Sequence, residues 1–108
     1  MARVVAIAPD LLLGSRIVET LGSAGHDVTL SASVSEADLD GAELVVADLD
    51  QENSEALVGL GIPVLGFYQH TNVDLRRAAE DAGVDTVVPR SRLVREMPEL
   101  VDGLLEGD

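Results

Sequence analysis

Glu43-Leu44-Val45-Val46-Ala47-Asp48 is an apolar run that ends on an acid, and Val4-Val5-Ala6-Ile7-Ala8-Pro9-Asp10 is a second one. Short continuous apolar runs of this kind suit central parallel strands, which are buried on both faces. In an open parallel sheet, ligands and chemistry gather beyond the carboxyl ends of the strands. Asp10 and Asp48 are thus each delivered to that end by a separate strand, which sets them apart from ordinary surface charge.

Outward from these runs, strand and helix patterns alternate along the whole chain. Strands are predicted at 3–8, 28–30, 44–47, 63–67 and 86–88. Helices are predicted at 13–24, near 36–39, at 55–60 and 73–82, with a last one beginning near Met97-Pro98. Gly25, Gly61 and Gly83 follow helical patterns as stops. Ser33 or Ser35, Ser54, and Thr71 or Asn72 stand as caps. Proline favours a first turn, which places the last helix start. Its apolar stripe is Met97, Leu100, Val101, Leu104 and Leu105. Five strands alternating with five helices predict an α/β fold with a doubly wound parallel sheet covered on both faces. With no linker or repeat in sight, residues 1–108 read as a single domain.

Composition narrows the function. The chain is 46 % hydrophobic, enough for a core without metals, and it lacks cysteine, which excludes disulfides and thiolate metal sites. Twenty acids face seven arginines and no lysine, for a net charge of −13. That field repels polyphosphate, so no nucleic-acid partner is expected. No run has the length of a membrane span and no secretory layout is visible, so no membrane partner and a cytoplasmic location are the expectation. Salt adaptation and coding bias explain the acidity equally well. Gly14 alone after the first strand forms no phosphate-binding fingerprint, and Ser15 and Ser91 have no relay partners at recognisable spacing. His26 reads as a surface turn residue; His70, near the carboxyl ends, reads as a loop histidine.

In order and spacing the chain resembles a response-regulator receiver domain. Asp10 stands where that family has the second acid of a pair, and Asp48 where it has the phospho-accepting aspartate. The stretch from Ile62-Pro63-Val64-Leu65 through Ala78-Ala79-Glu80-Asp81-Ala82-Gly83 to Val88 is similar to the family's fourth strand, fourth helix and fifth strand. The resemblance implies a flavodoxin-like sheet order 2-1-3-4-5. It also implies a site in which carboxylates hold magnesium, while the cation and a lysine offset charge during phosphoryl transfer.

Measured against that chemistry, most stations are altered. Pro9 replaces the first acid, and Leu11, Leu12 and Leu13 follow where a hydrated cation needs access. Tyr68 stands at the small hydroxyl position, Val87 at the aromatic switch, and Arg90 with Ser91 at the Lys-Pro pair. Arginine keeps the charge but differs in reach and geometry. The loop Leu49-Asp50-Gln51-Glu52-Asn53 lacks the family's Met-Pro. Asp48 is therefore read as a vestigial phosphoacceptor. Asp10 and Asp48 are at most weak magnesium ligands, with the Asp50 carbonyl as a third contact, and no cofactor is expected. Asp10 serves equally well as a cap for the helix that follows.

The expectation is a non-enzymatic signalling or protein-interaction module. Arg76, Arg77, Arg90, Arg92 and Arg95 cluster toward the C-terminus. They nominate the face of the fourth helix, fifth strand and fifth helix for a protein partner or homodimer. Leu11–Leu13 offer a second docking surface. The alternative is an atypical phosphorylatable receiver using Asp10, Asp48 and Arg90.

Overall fold

A computed structural model describes residues 2–69 and 73–106. The predicted caps Thr71 and Asn72, and His70, lie outside the described residues. Five strands form one parallel sheet: β1 (Arg3–Ile7), β2 (Asp27–Ser31), β3 (Leu44–Asp48), β4 (Val64–Tyr68) and β5 (Thr86–Pro89). Their order is β2-β1-β3-β4-β5, so the sheet has the expected doubly wound arrangement. The central strands explain the apolar runs. Val4 to Ile7 and Leu44 to Ala47 are fully buried, because helices cover both sides.

Among the described residues four helices pack on this sheet: α1 (Leu11–Ser23), α2 (Ser54–Val58), α3 (Val73–Ala82) and α4 (Arg90–Leu105). Alternate strand residues divide between two cores. Val4, Val46, Leu65 and Phe67 meet Leu13, Ile17 and Leu21 of α1 and Leu93, Met97 and Val101 of α4. Val5, Val45, Ala47 and Val64 meet Leu57 of α2 and Ala79 of α3. Gly25 has φ +98°, and the amides of Gly25 and His26 return to the carbonyls of Gly22 and Leu21. This double closure needs a left-handed residue just past the helix, which glycine adopts without strain.

Several boundaries differ from the sequence expectation. The second helix is only a 3₁₀ turn, Val34–Glu36, and residues 37–39 are not helical. The cap of α2 is Asn53, whose side chain accepts from the Ala56 amide, rather than Ser54. On α3, Ala79 is buried while its neighbour Ala78 is exposed. The last helix starts at Arg90, seven residues before Met97. Pro98 lies inside it, and Glu96 is non-helical at φ −122°, ψ 21°. Pro98 has no amide proton for the Val94 carbonyl, and its ring crowds that carbonyl, so the helix kinks. Proline thus marks the break, while buried Leu93 holds the earlier segment on the sheet.

Candidate functional site

The strand order reverses between β1 and β3, so the crevice that such sheets use for ligands lies between them. Asp10 follows β1 and Asp48 ends β3, on either side of that switch point.

Asp10 is committed to the backbone. It sits in extended conformation as the cap of α1, and its Oδ1 accepts from the amides of Leu12 at 3.0 Å and Leu13 at 3.2 Å. Its Oδ2 lies 3.1 Å from Nη2 of Arg90. The Leu13 amide, helped by the Leu12 amide and the Arg90 guanidinium, holds the Asp10 carboxyl below the usual aspartate range. Asp10 therefore supports folding above that range, and its contribution is lost as pH falls through its lowered value.

Asp48 is half-buried, and its Oδ1 accepts from the Asp50 amide at 2.9 Å. Burial pushes its carboxyl upward, and the charges of Asp50 and Glu52 act in the same direction. The Asp50 amide and Arg90 oppose the shift. A raised folded pKa means that ionised Asp48 weakens the fold once pH exceeds that value, and that the penalty fades in acid. Asp48→Asn keeps the acceptor and removes the charge. Thermal melts are expected to show a higher Tm for D48N at neutral pH, with the gap closing toward about pH 4. Equal melting temperatures at neutral pH would show that the charge carries no penalty.

Asp50 and Gln69 complete the rim. Asp50 Oδ2 accepts from the Gln69 amide at 2.7 Å, and Arg90 Nη1 donates to Gln69 Oε1 at 3.4 Å. Sequence reasoning missed Gln69. Its signal was its place directly after the fourth apolar run, where a residue must face the carboxyl end.

The expected apolar closure is corrected. Leu11 and Leu12 are 73 % and 85 % exposed, while Leu13 is 3 % exposed and belongs to the core. With α1 capped at Asp10, helical periodicity turns Leu13, Ile17 and Leu21 inward and leaves the first two leucines in water. Leu13 is therefore unavailable for docking. Tyr68 is buried at the end of β4, paired in register with Pro89, and Val87 packs against the α2–α3 core. His26 is not a free turn residue, since its Nδ1 accepts from the Ala2 amide at 3.2 Å and its Nε2 lies 3.7 Å from Asp102.

The arginines are mostly spoken for. Arg76 pairs with Glu80, and Arg92 and Arg95 both pair with Glu96, whose carboxyl they draw below its usual range. Arg77 is exposed and has no ion pair among the described residues. The predicted basic face is therefore largely neutralised by its own helices.

Magnesium prefers several oxygen ligands and retains its waters. Among the described residues, no group of three or more His, Cys, Asp or Glu side chains is placed to hold a metal ion. Both oxygens of Asp10 are already engaged. Nor is any helix among the described residues long and apolar enough to cross a membrane.

No protein-family model and no curated protein matches the sequence. Solved structures do match. A response regulator from Thermotoga maritima is 14 % identical with a TM-score of 0.84, covering 99 % of both chains. A CheY-like receiver domain protein from Methanospirillum hungatei is 16 % identical with a TM-score of 0.85, over 98 % of this chain and 94 % of that one. An orphan response regulator of H. pylori is 19 % identical with a TM-score of 0.82, over 96 % of each. What this chain shares with all three is the five-stranded parallel fold of response-regulator receiver domains.

Proposed function

We propose that this chain is a receiver-type signalling module that acts by binding a protein partner and has given up aspartyl phosphorylation. One observation carries the reading: Asp10, the acid left to hold a cation, already has both carboxylate oxygens engaged by the chain's own groups. Asp10 is divided between two helix amides and Arg90, and Asp48 holds the Asp50 amide. Loss of the first acid at Pro9 and a buried tyrosine at position 68 support the same conclusion.

The first turn of α1 is the favoured docking surface. Burying an exposed leucine contributes about 1.5–3 kcal/mol, whereas an exposed ion pair contributes about 0–1 kcal/mol. Leu11 and Leu12 therefore outweigh Arg76, Arg77, Arg92 and Arg95 on the face formed by α3, β5 and α4. That face is the second candidate, for a partner or a homodimer. Light scattering against concentration separates the two. Reduced self-association in the Leu11→Ser/Leu12→Ser chain alone supports the α1 turn. Reduction in Arg76→Glu/Arg77→Glu alone supports the arginine face.

The test of the module reading is spectroscopic. With magnesium and beryllofluoride, the native amide spectrum is expected to match that of D48N treated identically. A shift at the sheet end that requires Asp48 would establish the alternative, a phosphorylatable receiver working through Asp10, Asp48 and Arg90.

A further inference from the structure

We infer that a second copy of this chain docks on the open edge of β2, its own β2 running antiparallel, so that the two sheets continue as one. The inference goes beyond the proposed function and needs no chemistry at the strand-end acids. β2 is an end strand, with β1 on one side and no strand on the other among the described residues. The Asp27 amide donates to the Ala2 carbonyl at 2.9 Å, and the Ser31 carbonyl accepts from the Ala8 amide at 3.0 Å. Asp27, Thr29 and Ser31 thus turn their backbone groups toward β1, and by alternation Val28 and Leu30 aim theirs outward. An edge of this kind recruits another strand unless something blunts it. Residues 27–31 contain no proline, glycine or basic residue. β5, at the opposite end of the sheet, finishes on Pro89, which has no amide to donate.

The edge is complementary to itself. A two-fold axis through Thr29 gives the one antiparallel register that pairs every residue of β2. Val28 then exchanges both backbone hydrogen bonds with Leu30 of the second copy, and Leu30 does the same with its Val28. Asp27 faces a serine, so no like charges oppose each other along the strand. Because both copies use the same patch, the assembly closes at two. α1 adds a second layer to the contact. Gly14 sits so close to Leu30 that a Cβ would come within 2.7 Å of it, which sets α1 against this strand. Leu11, Ser15, Val18 and Gly22 follow on the edge side of the same helix. With α1 lying across β1 and β2, the axis sets the two α1 helices about two strand spacings apart, about 10 Å, which is a packing distance for helices. Exposed Leu11 is covered there. Two chains of charge −13 repel at long range, so the contact is expected to tighten as salt screens them.

The experiment exploits two facts: the native chain has no cysteine, and the Thr29 side chain is exposed on the face opposite α1. Residues opposed in a non-hydrogen-bonded antiparallel pair have Cα atoms about 4.5 Å apart, within disulfide reach. Thr29→Cys in a glutathione redox buffer is expected to give a covalent dimer on a non-reducing gel. Asp27→Cys, displaced about 13 Å along the strand from its own copy, is expected to stay uncrosslinked. By sedimentation equilibrium, Thr29→Lys and Thr29→Glu are each expected to dimerise about fivefold more weakly than the native chain, since like charges then meet across the axis. An equimolar mixture of the two is expected to recover native association. Its mean net charge is the native one, so a general charge effect does not account for the recovery. A native chain that stays monomeric in high salt, equal crosslinking of both cysteine variants, or a mixture no tighter than its components overturns the inference. Each of these results leaves the proposed function standing, because that reading is decided by the beryllofluoride spectra.

Discussion

Phe67→Ala is expected to lower the unfolding free energy by about 3–5 kcal/mol, read from urea denaturation. Phe67 is the chain's single phenylalanine and is 2 % exposed, within the core shared by α1 and α4. Its removal leaves a cavity that surrounding aliphatic side chains fill only partly. A domain of this size has roughly 5–15 kcal/mol of stability, so one substitution would consume a large share. The effect extends to the rim, because the Phe67 carbonyl accepts from the Leu49 amide at 2.8 Å, next to Asp48. A loss below about 1 kcal/mol would be incompatible with a fully packed ring at this position.

Gly66→Val is expected to destabilise by about 1–3 kcal/mol and to move the amide signals of Asp48, Asp50 and Gln69. A Cβ on Gly66 would lie 2.7 Å and 2.8 Å from the two Cδ atoms of Leu49, and 2.9 Å from its Cγ. Leu49 is 2 % exposed and belongs to the buried cluster with Val45, Ala47 and Leu57. It lies between Asp48 and Asp50, so displacing it drags the turn that joins both to Gln69. The missing side chain in mid-strand is what lets this loop close over the sheet. Gly66→Ala is expected to produce a smaller change in the same direction. Native stability in both variants, with unmoved rim signals, would remove Leu49 from that role.

The strands were readable because burial on both faces leaves a continuous apolar run, as in Val4 to Ile7 and Leu44 to Ala47. The acids that end those runs were legible for the same reason. Helix starts were harder. Reading α1 from Leu13 rather than from its cap at Asp10 put Leu11 and Leu12 over the crevice, whereas the cap sends them into solvent. The front of α4 was missed because Arg90, Arg92 and Arg95 obscure its apolar residues, Leu93 and Val94, and Pro98 supplies a stronger start signal. The contact between Asp10 and Arg90 joins residues far apart in sequence, so no local pattern announces it.

Pro98 makes the final helix two rods end to end. The rear rod is pinned by Met97 and Val101, while the front one rests chiefly on Leu93. Each has its own ladder of amide bonds, so the front piece can let go without melting the rear. A visitor that pried the guanidinium from its carboxylate would thus disturb about a turn and a half of chain. The remainder of the protein would stay assembled, ready for that short segment to settle back.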